Sequence, residues 1–170
     1  MTFALTDLTV LIGLCLLVGA ALHDVAVRTV PNWVSVALLP MGIVARLVSG
    51  DLLLGLTAAL CVFAAAVALW LFGLMGGGDS KLLGAVALLV PPGRLPELLL
   101  ATAICGGVLA IVYLVMSQLI SRPAKGKRRT IVGRIVKAER WRLSRRGPLP
   151  YAVAIAGGGV LSLSPLLAVP

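Results

Sequence analysis

Six long apolar stretches, separated by short polar or glycine- and proline-containing breaks, constrain what this chain can fold into. They cover residues 8–22, 33–48, 52–75, 82–90, 98–120 and 151–169. A helix needs about 20 apolar residues to cross a bilayer core, and a shorter one is tolerated where protein shields it. Hydrophobic residues make up 60% of the chain and charged residues only 12%, too few to cover a water-soluble surface. We therefore predict an all-α membrane protein, a polytopic bundle of about six transmembrane helices forming one domain over residues 1–170.

The basic residues are concentrated in one segment, and this predicts the orientation of the bundle. Eleven of the 15 Lys and Arg residues lie between Arg122 and Arg146, inside a polar loop at 121–149. If the N-terminus lies outside, the inner loops carry these eleven together with Arg28 and Lys81, which makes 13 against two outside. The positive-inside rule then places both termini outside the cell membrane. Anionic lipid is the expected partner of the basic loop.

Nucleic-acid and metal-binding classes lack support in this sequence. The net charge is +9, but no aromatic-rich basic surface or nucleic-acid motif accompanies it, so we expect no nucleic acid as a partner. The three cysteines, Cys15, Cys61 and Cys105, lie singly within apolar stretches and form no CxxC pair. Such spacing predicts neither a zinc site nor a disulfide framework. We expect no metal and no cofactor.

Two aspartates lie where a membrane protein tolerates a carboxylate poorly. Asp24 follows the first apolar stretch, and Asp79 follows the third, directly after Gly76, Gly77 and Gly78. A carboxylate in hydrocarbon costs about 2.5–3.5 kcal/mol on insertion scales, which indicates a functional reason for its presence. The predicted topology places both residues, called here the aspartate pair, on the cytoplasmic side. Two close carboxyls in a low dielectric share a proton, and one ionised with one protonated carboxyl can hydrolyse a peptide bond.

Structural roles remain open for both members of the pair. Asp24 could be an interfacial cap at a helix end, and Asp79 could be the N-cap of the following helix, since Asp is a favoured cap. The glycines at 76–78 disfavour a stable helix. They would let the backbone unwind and approach a substrate strand closely.

Nearby polar residues have two interpretations each. Arg28 and Lys81 could steady the charge of the aspartate pair or engage an acidic substrate residue, or they could only anchor the inner membrane face. Asn32 could bond substrate, but a cap of the second helix explains it better. His23 adjoins Asp24 yet points to a different helix face, so we expect it to be a bystander. Tyr151 is expected to be an anchor at the membrane interface.

Three motifs in order along the chain resemble those of the type IV prepilin peptidase family. Residues 76–79 match the GxGD motif, and the pattern DxxxRxxPN at 24–32 is similar to the motif of the first aspartate. The stretch 149–152 is similar to the proline-aromatic motif that opens the last helix. The resemblance implies a membrane aspartic endopeptidase, with Asp24 and Asp79 catalytic and the first and third glycines as motif glycines. It also implies that the enzyme cleaves the leader peptide of prepilin, pseudopilin or preflagellin precursors at the cytoplasmic face.

The chain has none of the paired CxxC motifs of larger prepilin peptidases. It therefore resembles the short form, as in tight-adherence pilus or preflagellin peptidases, for which N-methyltransferase activity is not expected. Two other interpretations remain open. One is a proton-coupled transporter that uses the aspartate pair as relay groups, although a relay would place carboxyls at several depths. The other is a catalytically silent pilus-assembly factor.

Overall fold

The protein, described from a computed structural model over residues 2–119 and 149–167, is a bundle of α-helices. The described residues form six α-helices, which are α1 (Thr2–Val27), α2 (Asn32–Ser49), α3 (Leu52–Leu71), α4 (Gly77–Leu89), α5 (Leu95–Leu119) and α6 (Tyr151–Leu167). A short 3-10 turn at Pro92–Arg94 joins α4 to α5. By length and composition, α1, α2, α3 and α5 can each cross a membrane. The predicted all-α membrane class is confirmed, whereas the predicted basic loop lies almost wholly outside the described residues.

α4 is the buried centre of the bundle. It packs against α2, α3 and α6, and α6 in turn packs against α1 and α5. All residues from 82 to 90 are buried. α4 has only 13 residues, fewer than the roughly 20 that a lipid-exposed span needs. Its shielding by neighbouring helices is the condition under which the sequence predicted that this helix could be short.

α2 and α4 run parallel, because their starts meet at Asn32 and Lys81 and their ends meet where the Arg46 guanidinium donates a hydrogen bond to the Leu89 carbonyl oxygen at 3.4 Å. At one end the Lys81 Nζ donates a hydrogen bond to the Asn32 Oδ1 at 3.2 Å. At the other end Arg46, which is 2% exposed, forms an ion pair with Asp51 at 2.9 Å. Gly50 makes the turn between α2 and α3 with φ of 76° and so brings Asp51 to Arg46. The end that holds Asn32 and Lys81 is called the α4 N-terminal end below.

Three helix boundaries near the aspartate pair differ from those expected. α3 ends at Leu71 instead of residue 75, because Gly73 takes a φ of 72° and turns the chain. α4 begins at Gly77 instead of residue 82, so two of the three glycines are helical and not unwound. The first turn of a helix needs few intrahelical hydrogen bonds and tolerates glycine there. α1 continues to Val27, which places Asp24 inside its last turns.

Candidate active site

Asp24 is a buried carboxylate placed against the beginning of α6. It is 5% exposed. Its Oδ2 accepts a hydrogen bond from the backbone N–H of Ala152, the second residue of α6, at 3.2 Å. N–H groups in a first helical turn lack intrahelical partners and carry the positive end of the helix dipole. α6 therefore satisfies Asp24 and stabilises a negative charge on it.

Asp79 is the third residue of α4 and lies outside the four candidate membrane spans. Gly76 occupies the N-cap position, so the alternative that Asp79 is the N-cap is wrong. Burial and, as a smaller contribution, the negative charge of Asp24 raise the pKa of Asp79 from 3.8 to about 6. A backbone hydrogen bond at Gly76 opposes this increase. Asp79 consequently holds a proton more readily than an ordinary aspartate does.

The α4 N-terminal end brings the aspartate pair together from two different helices. The start of α6 lies beside both residues, since Asp24 accepts a hydrogen bond from Ala152 and Tyr151 lies within electrostatic range of Asp79. Gly78 contacts the connection between α1 and α2, since a Cβ at this position would lie 3.2 Å from the Cβ of Val30. The charge of Asp24 acts on Asp79. The result is two interacting carboxyls in unlike surroundings, one hydrogen-bonded to a helix N-terminus and the other partly desolvated.

Gly76 leaves space for the Asp79 carboxyl, but its backbone conformation does not require glycine. Its φ of −72° and ψ of 142° are open to any L-amino acid. A Cβ on Gly76 would lie only 2.6 Å from the Asp79 Oδ2. A side chain at this position therefore displaces the carboxyl. The sequence interpretation expected close approach and backbone unwinding here, and the structure shows the close approach alone.

Two residues to which the sequence interpretation gave no role hold the start of α4 against α3. The indole of Trp70 packs on Gly77, where a Cβ would lie 3.2 Å from the Trp70 Nε1. The hydroxyl of Ser80, which is 2% exposed, lies 3.1 Å from the carbonyl oxygens of both Ala66 and Gly76. Buried hydroxyls need such partners. Ser80 thereby fixes the first turn of α4 and the position of the preceding aspartate.

Arg28 ties the end of α1 to α5. Its guanidinium donates a hydrogen bond to the Tyr113 hydroxyl at 3.0 Å and lies 5.4 Å from the centre of that ring. The Arg28 backbone N–H donates to the Asp24 carbonyl oxygen at 2.8 Å, although Arg28 has a φ of 65°. Non-glycine residues in this conformation are strained, and strain of this kind clusters at functional sites. Arg28 thus braces the chain directly after Asp24, and Tyr113 is a partner that the sequence did not indicate.

Asn32 and Lys81 lie together, but on another side of α4. Two residues along a helix correspond to a rotation of about 200°, so Lys81 and Asp79 point in different directions. Lys81 bonds Asn32 at 3.2 Å, and both residues line a groove between α2, α3 and α4. Pro31 is the N-cap of α2 and no side chain caps it, so the expected capping role of Asn32 is wrong.

Two further residues flank the aspartate pair. The His23 Nδ1 lies 2.8 Å from the Thr29 carbonyl oxygen on the protein surface, as expected of a bystander. Tyr151 is partly buried and packs on α5, where a Cβ at Gly106 would lie 3.5 Å from its ring. Tyr151 also lies within electrostatic range of the Asp79 carboxyl. Tyr151 therefore belongs to the wall of the site and is not simply an interface anchor.

The comparison with family models identifies the class of this protein. The Type IV leader peptidase family matches residues 11–111, which is more than half of the 170-residue chain. The match begins in α1, ends in α5 and contains the aspartate pair and the three glycines. The chain belongs to the Type IV leader peptidase family, which confirms the resemblance read from the motifs. Neither the comparison with curated proteins nor that with solved structures found a match.

Proposed function

We propose that this peptidase is an aspartic endopeptidase that removes the leader from type IV prepilin-like precursors, with Asp24 and Asp79 as its catalytic residues. The observation that carries the proposal is the pair of interacting carboxyls in unlike surroundings. Asp24 accepts a hydrogen bond from the N-terminus of α6, while burial and the Asp24 charge raise the pKa of Asp79 to about 6. Aspartyl hydrolysis requires this division, with one carboxyl ionised and the other protonated.

The surroundings of the two carboxyls support a different role for each. Asp24 is the general base: it takes a proton from water as the water oxygen attacks the scissile carbonyl carbon. Asp79 is the general acid: it gives its proton to the carbonyl oxygen as the tetrahedral intermediate forms. When the intermediate collapses, the C–N bond breaks, the leaving amine takes the proton from Asp24, and Asp79 recovers its own from the hydroxyl. The pair ends in its starting protonation state.

The substrate class and the membrane face are parts of the same proposal. The aspartate pair lies at one end of the bundle, where an extended peptide can arrive from water. The same end carries Arg28 and Lys81, and the positive-inside bias of 13 basic residues against two supports a cytoplasmic position for it. A leader that precedes an apolar helix would meet the pair at this face while the helix remains in lipid.

The test is processing of a prepilin-like precursor co-expressed with this chain. The variants Asp24→Asn and Asp79→Asn are expected to accumulate at the wild-type level and to leave the precursor uncut. Asp7→Asn is the matched control, because Asp7 is an exposed aspartate of α1 near the opposite end of that helix. Processing that survives both substitutions contradicts the proposal. Aspartate-dependent proton flux in liposomes, without processing, would instead support the transporter interpretation.

A further inference from the structure

A deep groove lies between α2, α3 and α4, on the side of α4 that faces away from Asp79. α2 and α3 diverge from the turn at Gly50, and both pack against α4, which forms the floor. The groove has a volume of about 720 Å³. Its walls include Val36 and Leu60, which are exposed at the bundle surface that lipid would cover. The groove is thus open to the side along helices that can span a membrane.

The lining of the groove is charged and polar at one end and becomes apolar along its length. At the α4 N-terminal end stand the ammonium of Lys81 and the amide of Asn32. One helical turn deeper is Ser35, which is 6% exposed and whose Oγ has no hydrogen-bond partner among the described residues. Beyond Ser35 the lining is mainly hydrocarbon, including Leu39 and Leu88.

A buried hydroxyl without a partner costs free energy, so Ser35 indicates a ligand that brings an acceptor. Three residues of helix correspond to about 4.5 Å, which is the depth of Ser35 below Asn32. The ligand therefore carries an anion at the mouth, an acceptor about one turn below and a long apolar part. A glycerophospholipid has this order of groups: phosphate, ester carbonyl and acyl chain.

Two other occupants fit the groove less well. An apolar helical peptide can offer Ser35 a carbonyl oxygen, as Ala66 does to Ser80, but it brings no anion to Lys81 at the mouth. The chain's own basic segment carries eleven Lys and Arg residues between Arg122 and Arg146, and Lys81 would repel it. The charge at the mouth thus selects an anionic ligand.

We propose that this groove binds one anionic phospholipid, with the phosphate at Lys81 and Asn32, an ester carbonyl at Ser35 and an acyl chain between α2 and α3. The site is distinct from the aspartate pair, because Lys81 and Asp79 point to different sides of α4. The proposal differs from the expected contact of anionic lipid with the basic segment at 121–149, because it names other residues.

Native mass spectrometry of the purified protein tests this site. The protein is loaded from mixed micelles that contain equal amounts of phosphatidylglycerol and phosphatidylcholine. The wild type is expected to retain one more phosphatidylglycerol molecule than Lys81→Gln does. The affinity of Lys81→Gln for this lipid should be about fivefold lower than that of the wild type. Lys81→Arg should retain it. Ser35→Ala should weaken both lipids equally, since both have the ester.

Two further variants separate the groove from the rest of the surface. Thr57→Val is the matched control, because Thr57 also lines the groove but its hydroxyl already lies 3.0 Å from the carbonyl oxygens of Leu53 and Leu54. It should leave lipid retention unchanged. Val36→Trp fills the groove from a wall position that is 64% exposed and should displace the lipid without unfolding the protein.

Equal retention of the two lipids by the wild type, or retention that is unchanged in both Lys81→Gln and Val36→Trp, overturns the proposal. An increase in the KM for a precursor peptide in these two variants, with lipid retention intact, also contradicts it. That result would assign the groove to the substrate instead.

Discussion

Substitution of Gly76 by alanine should slow catalysis without unfolding the protein. The new Cβ would lie 2.6 Å from the Asp79 Oδ2, and ordinary contact begins at 3.4 Å, so the carboxyl must move by 3.4 − 2.6 = 0.8 Å. A misplacement of about 1 Å can lower a catalytic rate about 100-fold. The backbone itself accepts alanine, because φ is −72° and Gly76 is exposed. We therefore expect a rate loss on the order of 100-fold for Gly76→Ala.

The assay is single-turnover cleavage of a precursor peptide by purified protein, with thermal unfolding measured on the same samples. Gly19→Ala is the control: Gly19 lies within α1 and is exposed like Gly76, but a Cβ there meets nothing within 4 Å. The control should cleave at the wild-type rate and unfold at the same or a slightly higher temperature, since alanine is the better helix former.

A wild-type cleavage rate in correctly folded Gly76→Ala would refute the reasoning. It would mean that the Asp79 carboxyl does not act from the position beside Gly76. A large fall in unfolding temperature in the same variant would also contradict the account, because it would assign to Gly76 a structural role that its exposure and backbone angles do not require.

Three further predictions concern the pH dependence of cleavage, the ion pair between Arg46 and Asp51, and the contact between Arg28 and Tyr113. Asp79 acts in its protonated form and has a pKa of about 6, so kcat/KM should fall tenfold per unit above that pH, and a flat profile between about pH 5 and 8 would contradict this role. Asp51→Asn should destabilise the protein by about 2 kcal/mol in thermal unfolding, because it leaves the buried Arg46 without its ion partner, while cleavage at low temperature stays unchanged. Tyr113→Phe and Arg28→Met should show a coupling free energy of about 1 kcal/mol in a double-mutant cycle, and additive effects would exclude an energetic role for their contact.

Much of the fold was accessible from the sequence because apolar length and composition determine it. The stretch at 82–90 was too short for a lipid-exposed span, and its shielding by protein followed from that length alone. The break between the stretches at 33–48 and 52–75 and the close approach at the glycines beside Asp79 could also be predicted, since turns and close approaches restrict residue type. The family match over residues 11–111 confirms the class that those patterns indicated.

The contacts that define the site could not be predicted from the sequence in the same way. The donor to Asp24 is the backbone N–H of Ala152, and a backbone group leaves no trace in residue identity. Asn32 was expected to cap α2, but its amide bonds Lys81, which is 49 residues away along the chain. Glycine disfavours helix, yet Gly77 is helical. Tertiary packing against Trp70 requires a small residue there.

A carboxyl titration can show whether Asp24 and Asp79 work as one interacting pair. The protein carrying 13C-labelled aspartate carboxyls is titrated by NMR, and the Asp79 signal is assigned by its loss in Asp79→Asn. We expect a pKa of about 6 for Asp79 in the wild type and a lower pKa in Asp24→Asn, because the Asp24 charge contributes to the increase. An Asp79 pKa that is the same in both proteins would contradict the claim.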